Sequence, residues 1–174
     1  MKKLISVFIL LCLALTFASC TGTAVDVPKG MQLASGEDVS YNLFVPGGWI
    51  TTSENGICGA YYSSGDKSNI TMSSFYPEGD MESIADYWEK CKASYAETYK
   101  NFRLEEEEAN VIIGERSAFK YTFSADIDSK SYKFMQIITV YDNLFYTLTY
   151  TAEADKYDAH LSDIEKVISE FEFK

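Results

Sequence analysis

The sequence predicts an α+β domain in which an antiparallel sheet of about six to seven strands packs against helices. Segments of alternating apolar and polar residues, bounded by turn residues, indicate strands, and two segments with apolar residues every three or four positions indicate amphipathic helices. The chain has 174 residues, of which 47% are hydrophobic and 24% charged. This length and composition are typical of one globular domain.

Three strands are predicted in the first half of the chain. Val39 to Val45 forms the first strand, which ends at Pro46-Gly47-Gly48 before Trp49 returns to the core. The second and third predicted strands are Ile57 to Ser63 and Asn69 to Tyr76. The turn residues between these last two strands make them consecutive antiparallel neighbours.

A helix is predicted after the third strand, with Asp80 or Ser83 as its N-cap. Its apolar positions recur at intervals of four and three residues, as expected for a helix with one face on a sheet. These positions are Ile84, Trp88, Cys91, Tyr95 and Thr98.

Four further strands and a second helix are predicted in the second half. The strands are Phe102 to Ile113, a segment around Phe119 to Phe123, Tyr132 to Tyr141, and Leu144 to Thr151. The last three are joined by short turns, which predicts an antiparallel meander. The helix carries an apolar stripe with Asp155 as its predicted N-cap, and the stripe comprises Tyr157, Leu161, Ile164, Ile168 and Phe171.

The N-terminus has the features of an export signal. Lys2 and Lys3 precede an apolar run from Leu4 to Ala18, which at about 15 residues is short for a membrane-spanning helix. Leu15 to Cys20 resembles the lipobox of bacterial lipoproteins, in which small residues precede an obligatory cysteine. The resemblance implies cleavage before Cys20 and attachment of lipid to its thiol, although Phe17 stands where the family usually has Leu. The alternative is a plain secreted protein.

These features predict three regions. Residues 1–19 are the signal peptide, residues 20–38 are the lipidated cysteine and a flexible tether, and residues 39–174 are a single domain. Within the tether, the segment around Met31 to Ala34 has enough apolar character to dock as a turn of helix or a strand. Two or more acyl chains at Cys20 would hold the protein stably on the extracytoplasmic face of the cell membrane.

Charge excludes one class of function. The chain has 15 Lys and Arg against 26 Asp and Glu, a formal net charge of −11. Nucleic-acid binding requires a clustered basic footprint, so it is not expected. A run of acidic residues from Glu105 to Glu108 lies in a predicted outer strand, where charges prevent edge-to-edge aggregation, and a binding role for this run is the alternative.

The cysteines and the single histidine do not form a recognisable catalytic site. Cys58 and Cys91 remain after cleavage and acylation, and they could form a disulfide or pack as free thiols. His160 is remote from both in sequence, and no nucleophile motif accompanies it. No catalytic residue, cofactor site or metal site is therefore predicted.

Tyrosine is abundant, with 13 residues in the chain. Tyrosines that line a groove between the sheet and a helix would contact a protein or a glycan, because the ring packs while the hydroxyl meets a partner. The alternative is that they lie at the edge of the core. The residues concerned are Tyr61, Tyr62, Tyr76, Tyr87, Tyr95, Tyr99, Tyr121, Tyr132, Tyr141, Tyr146 and Tyr150.

The domain resembles the PsbP-like family. The resemblance rests on Tyr41 to Pro46 followed by Gly48-Trp49, on Phe119 to Phe123, on the paired strands from Tyr132 to Thr151, and on the C-terminal helix ending at Phe173. It implies an α/β/α sandwich used in extrinsic assembly or binding subunits, and no functional motif of the family is present to transfer. A cystatin-like or nuclear-transport-factor-like α+β domain is the alternative fold.

We therefore expect a lipid-anchored extracytoplasmic binding or assembly protein without catalytic activity. Its partners would be the membrane, through lipid at Cys20, and a protein or glycan of unknown identity. The alternatives are a hydrolase that uses carboxylates and a solute-binding accessory lipoprotein of a transporter.

Overall fold

A seven-stranded antiparallel sheet with a helix on each face forms the centre of the structure. The structure is a computed structural model that describes residues 25–77 and 83–174. The strands are β1 (Met31–Leu33), β2 (Tyr41–Asn42), β3 (Phe44–Pro46), β4 (Ile50–Glu54), β5 (Ile57–Tyr61), β6 (Asn69–Phe75), β7 (Lys100–Ile113), β8 (Arg116–Ile127), β9 (Lys130–Tyr141), β10 (Leu144–Glu153) and β11 (Glu172–Phe173). The helices are α1 (Ile84–Thr98) and α2 (Leu161–Glu170), and a 3-10 turn at Tyr157–His160 leads into α2.

The order of strands in the main sheet is β4-β5-β6-β10-β9-β8-β7. Strand β10 therefore lies between β6 and β9, and helix α1 connects β6 to the far edge strand β7. Strands β8, β9 and β10 form the predicted antiparallel meander, and β7 extends it to the edge of the sheet. Two small ladders, β1 with β3 and β2 with β11, lie outside the main sheet.

The tight turns of the sheet have positive φ angles, which the Asn, Asp and Gly residues in these turns adopt readily. Asn55 and Gly56 join β4 to β5 with φ of 52° and 78°, and Asp142 and Asn143 join β9 to β10 with φ of 48° and 60°. Positive φ at both central residues is typical of the hairpin turns whose twist matches the flanking strands, and Asn, Asp and Gly tolerate it best.

Buried side chains form two clusters, which lie on opposite faces of the sheet. On β10, Tyr146 and Leu148 belong to the cluster beneath α2, whereas Phe145 belongs to the cluster beneath α1. Successive residues of a strand point to opposite faces, so the alternation of these residues follows directly from the strand geometry. Each helix thus completes a separate core.

Two predicted boundaries are wrong. The segment Val39 to Val45 is not a strand of the main sheet but contributes the short strands β2 and β3, which pair with β11 and β1. The predicted tether, residues 20–38, is too long because Met31–Leu33 forms β1 and Ala34 and Ser35 are buried. Met31 and Ala34 are buried in the hydrophobic core and so attach this segment to the domain. The apolar character of Met31 to Ala34 in the sequence indicated this possibility.

The predicted helix caps have different outcomes. Ser83 caps α1, since its Oγ accepts a hydrogen bond from the backbone N–H of Asp86 at 3.1 Å. Asp80 lies outside the described residues. Asp155 is not the cap of the second helix, because the chain first makes the 3-10 turn and α2 begins after His160.

Candidate functional site

One row of residues crosses all seven strands on the α1 side of the sheet. Each residue of the row is paired with the next one on the neighbouring strand. In order from β4 to β7, the row is Thr52, Gly59, Thr71, Thr149, Gln136, Tyr121 and Glu107. Residues directly opposite each other in a sheet share a face, so the side chains of this row show which chemical groups that face carries from one edge of the sheet to the other.

Helix α1 covers the half of this row that contains Tyr121. The rings of Trp88 and Tyr121 are stacked with centroids 3.9 Å apart and planes 9° apart. Tyr95 also stacks on Phe123, with a centroid distance of 5.2 Å. These aromatic contacts place α1 above β8.

The other half of the row carries hydroxyl groups. The three threonines of this half belong to a larger set of Thr and Ser side chains on β4, β6 and β10. We call this set the hydroxyl face, and its members are Thr52, Thr71, Ser73, Thr147, Thr149 and Thr151. Thr52 is exposed, Thr147 is buried, and the other four are half-buried. Each hydroxyl can both donate and accept a hydrogen bond.

A stripe of α1 borders the hydroxyl face. Tyr87, Cys91 and Tyr95 are spaced by four residues, which places them on one side of the helix. The amide of Gln136 joins the stripe to the face, since its Nε2 donates to the Tyr95 hydroxyl at 3.0 Å and to Thr149 Oγ1 at 3.3 Å. This hydrogen bonding links the helix to the sheet at Tyr95, whereas Tyr87 packs its ring against Phe75 on β6, with centroids 4.7 Å apart.

The thiol and hydroxyls of this stripe stay protonated at neutral pH. Burial raises the pKa of the Cys91 thiol, and hydrogen bonds with Tyr87 and Tyr95 oppose this shift without reversing it. Burial also raises the pKa of Tyr95 to about 12. The stripe therefore offers neutral hydrogen-bonding groups and no thiolate nucleophile.

Gly59 lies in the same row and permits close approach of β5 to β6. A Cβ atom at this position would collide with the carbonyl oxygen of Ile70 and with the side chain of Thr71. The residue beneath the hydroxyl face is therefore constrained to glycine by the backbone of the neighbouring strand.

The single histidine is buried at the N-terminus of α2. His160 is 7% exposed, and its Nε2 lies 3.0 Å from Asp66 Oδ2. Its ring also contacts Tyr62, with centroids 4.3 Å apart, and Trp49, with centroids 5.7 Å apart. Asp66 precedes β6, so the pair joins the β5–β6 connection to the start of α2.

The Asp66 carboxylate is held in its charged form. Burial by itself would raise its pKa, but hydrogen bonds from the Ser68 hydroxyl and backbone N–H and from His160 outweigh it and lower the pKa to about 2. The Asp66 carboxylate therefore accepts hydrogen bonds from fixed donors and stays ionised. A general acid needs the reverse, a carboxyl group whose pKa is raised.

The acidic run lies on β7, an edge strand of the sheet. Lys120 on β8 forms ion pairs with Glu106 and Glu108, and Lys133 on β9 pairs with Glu105 at 3.3 Å. Register shifts interrupt the β7–β8 ladder at three places. Charge and irregular register both discourage pairing with another chain, as the sequence predicted for this strand.

Two grooves lie on the α2 side. The first, of about 760 Å³, is lined by residues that include Val25, Pro28, Lys29, Phe44, Glu170 and Glu172. The second, of about 890 Å³, lies between the β7–β8 turn and the C-terminal strand, and it shares Glu170 and Glu172 with the first. Lys166 Nζ donates to the carbonyl oxygen of Lys29 at 3.0 Å, which fixes the entering chain beside α2.

The two predicted disulfide candidates lie on opposite sides of the sheet. Cys58 is a buried free thiol in the cluster beneath α2, and Cys91 is a half-buried free thiol beside the cluster beneath α1. Cys20, the predicted lipidation site, lies outside the described residues.

Tyrosines occupy both of the predicted environments. Tyr121, Tyr146 and Tyr150 are buried, Tyr62 and Tyr76 are exposed, and the remaining candidates are half-buried. Of these, Tyr87 and Tyr95 line the junction of sheet and helix. The hydroxyl face beside them was not predicted, because Thr and Ser at alternate positions look like any solvated strand until the register aligns them.

Within residues 25–77 and 83–174, no group of three or more His, Cys, Asp or Glu side chains is arranged to hold a metal ion. No helix in these ranges is long and apolar enough to cross a membrane.

Comparison with known proteins shows the fold. No protein-family model matches the sequence, and no curated protein matches it. Among solved structures, CyanoP, the cyanobacterial PsbP of Synechocystis, is similar with a TM-score of 0.62 at 14% identity, covering 83% of this chain and 93% of CyanoP. LpqN of Mycobacterium tuberculosis, a protein involved in cell envelope biogenesis, has a TM-score of 0.62 at 16% identity, covering 83% of this chain and 90% of LpqN.

A protein of unknown function from Pseudomonas aeruginosa is also similar, with a TM-score of 0.57 at 16% identity, covering 80% of this chain and 94% of that one. The chain thus has a PsbP-like α+β fold, and the predicted fold class is confirmed. At these identities the likeness extends to the fold and does not assign an activity.

Proposed function

We propose that the protein is a lipid-anchored binding or assembly protein of the extracytoplasmic side of a bacterial membrane, without catalytic activity. The hydroxyl face, together with the Tyr87–Tyr95 stripe, is its proposed binding surface. The observation that carries this proposal is the set of neutral donors and acceptors on one face of a chain whose formal net charge is −11. Such a surface suits an uncharged hydrogen-bonding partner, either a glycan or a protein.

The anchor is supported by the lipobox-like segment that ends at Cys20. Lipidation is tested by growing cells that express the full chain with labelled palmitate. We expect label in the wild type and none in Cys20→Ala, which should also leave the membrane fraction. Equal labelling of both proteins would contradict the anchor.

The absence of catalysis is supported by the direction in which the described carboxyl groups are shifted. Wherever a pKa departs from its ordinary value, for Asp66, Glu105, Asp126 and Glu153, it is lowered. A hydrolase built on carboxylates needs one acid with a raised pKa to protonate the leaving group. The described residues thus favour binding over the alternative hydrolase.

The binding surface is tested by photo-crosslinking in intact cells. A photoreactive phenylalanine analogue replaces Thr71, which is half-buried on the hydroxyl face, and a control variant carries it at Glu108, which is exposed on the acidic edge strand. We expect an adduct at Thr71 that is absent at Glu108. Protease digestion identifies a protein partner and glycosidase digestion a glycan, while equal adducts at both positions would contradict this surface.

A further inference from the structure

The first described residues fix where the chain leaves the domain. Val25 to Lys29 line the first groove together with Phe44 and Glu170, on the α2 side of the sheet. Pro28 and Gly30 are tied down as well, since their carbonyl oxygens accept hydrogen bonds from the N–H groups of Met31 and Gly47. The N-terminal chain therefore departs from the α2 layer.

The distance from this point to the proposed anchor is short. Cys20 and Val25 are five positions apart. A fully extended chain of five residues spans at most about 18 Å, whereas a domain of about 150 residues is roughly 40 Å across. The tether is therefore shorter than the domain, in contrast to the longer one that the sequence predicted.

The opposite face of the domain is out of reach of such a tether. Helix α1 lies on the other side of the sheet, because Trp88 and its neighbours form a cluster separate from the one beneath α2. Each layer is about 10 Å thick, so the chain would have to wrap around at least 20 Å of protein before α1 met the membrane.

We infer that the anchored protein holds its α2 layer, with the two grooves, next to the membrane and turns α1 and the hydroxyl face away from it. This inference rests on the proposed lipid anchor. It makes the hydroxyl face accessible to a partner outside the membrane, and it places Lys29 and Lys166 near the lipid headgroups.

The orientation is tested with the full-length lipidated protein in vesicles that contain phosphatidylethanolamine. A short amine-reactive crosslinker joins lysine side chains to the amine of this lipid, and mass spectrometry locates the adducts. Lys29 and Lys90 are a matched pair, since both are exposed and they lie on opposite sides of the sheet. We expect lipid adducts on Lys29 and Lys166 and none on Lys90.

A variant with a flexible Gly/Ser insert of about 20 residues after Thr23 serves as the control, because it adds roughly 25 Å of mean reach. Adducts at Lys90 should appear in this variant alone. Equal adducts on Lys29 and Lys90 in the unextended, palmitate-labelled protein would overturn the orientation while leaving the anchor intact. Absence of lipid at Cys20 would overturn the anchor and the orientation together.

Discussion

Trp88 of α1 lies flat on Tyr121 of β8, with ring centroids 3.9 Å apart. Both side chains are buried, and Tyr121 belongs to the row of residues that continues into the hydroxyl face. The contact determines which half of the sheet α1 covers. It therefore also determines which half α1 leaves uncovered.

Replacement of Trp88 should destabilise the protein strongly. Trp88→Ala removes the stacked ring and leaves a cavity beneath α1, so we expect a loss of about 3–5 kcal/mol in the free energy of unfolding. Urea denaturation followed by circular dichroism measures this loss. Tyr76→Ala is the control, because Tyr76 is 71% exposed and its removal should change stability by less than about 0.5 kcal/mol. Similar losses in both variants would contradict the proposed role of the stacking.

Gly59→Ala should destabilise the β5–β6 pairing. The added methyl group meets the carbonyl oxygen of Ile70 on the neighbouring strand, and backbone atoms cannot yield as a flexible side chain can. We expect a loss of about 1–3 kcal/mol in thermal or urea unfolding. Gly65→Ala is the matched control, since a Cβ atom there has no neighbour within 4 Å. A neutral effect at Gly59 would show that the two strands are further apart than the structure places them.

Acid should weaken the link between Asp66 and His160. The folded-state pKa of Asp66 is lowered to about 2 from an ordinary value of 3.8. A lowered carboxyl pKa contributes stability that is fully present above pH 3.8 and is lost as the pH falls toward 2. We expect this contribution to be about 1–2 kcal/mol after solvent screening, because part of the side chain is exposed.

Unfolding measured from pH 6 down to pH 2 tests this expectation. Asp66→Asn should be less stable than the wild type at pH 6, and the difference should shrink as the pH falls through the interval between the two pKa values. A difference that stays constant over this range would exclude ionisation of Asp66 as its cause.

Cys58 and Cys91 should behave as free thiols. Because burial raises the pKa of the Cys91 thiol, we expect this half-buried residue to react slowly with a maleimide in the folded protein at mildly alkaline pH, and Cys58 to react only after denaturation. Mass spectrometry of the denatured protein without reductant should show both residues alkylated. A need for prior reduction before either residue is alkylated would show that Cys58 and Cys91 form a disulfide. Such a disulfide would contradict the structure, in which the sheet separates the two thiols.

Local patterns allowed most of the secondary structure to be predicted. The stripe of α1 and the meander from β8 to β10 follow from spacing and turn residues within the segments themselves. The predicted strand pairing failed for Val39 to Val45, and the predicted length of the tether failed as well. In both places a short apolar segment is compatible with pairing to several different strands of the chain. Strand β4 was missed because Ile50 to Glu54 is exposed throughout and has no apolar alternation.

The candidate site depended on contacts that are remote in the chain. His160 and Asp66 are separated by 94 positions, and Gln136 reaches Tyr95 across 41. No spacing rule connects such residues, because only the packing of α1 and α2 on the sheet brings them together.

By itself, the sequence determined the α+β class, most strands and the stripe of α1, and it predicts an export and lipidation signal at Cys20. These properties depend on side-chain period and on short motifs, which act over a few residues. Only the tertiary structure decided that β10 lies between β6 and β9, and that their threonines and serines align into one face beside α1. Register is set by the burial of both faces at once, and no single segment carries that information.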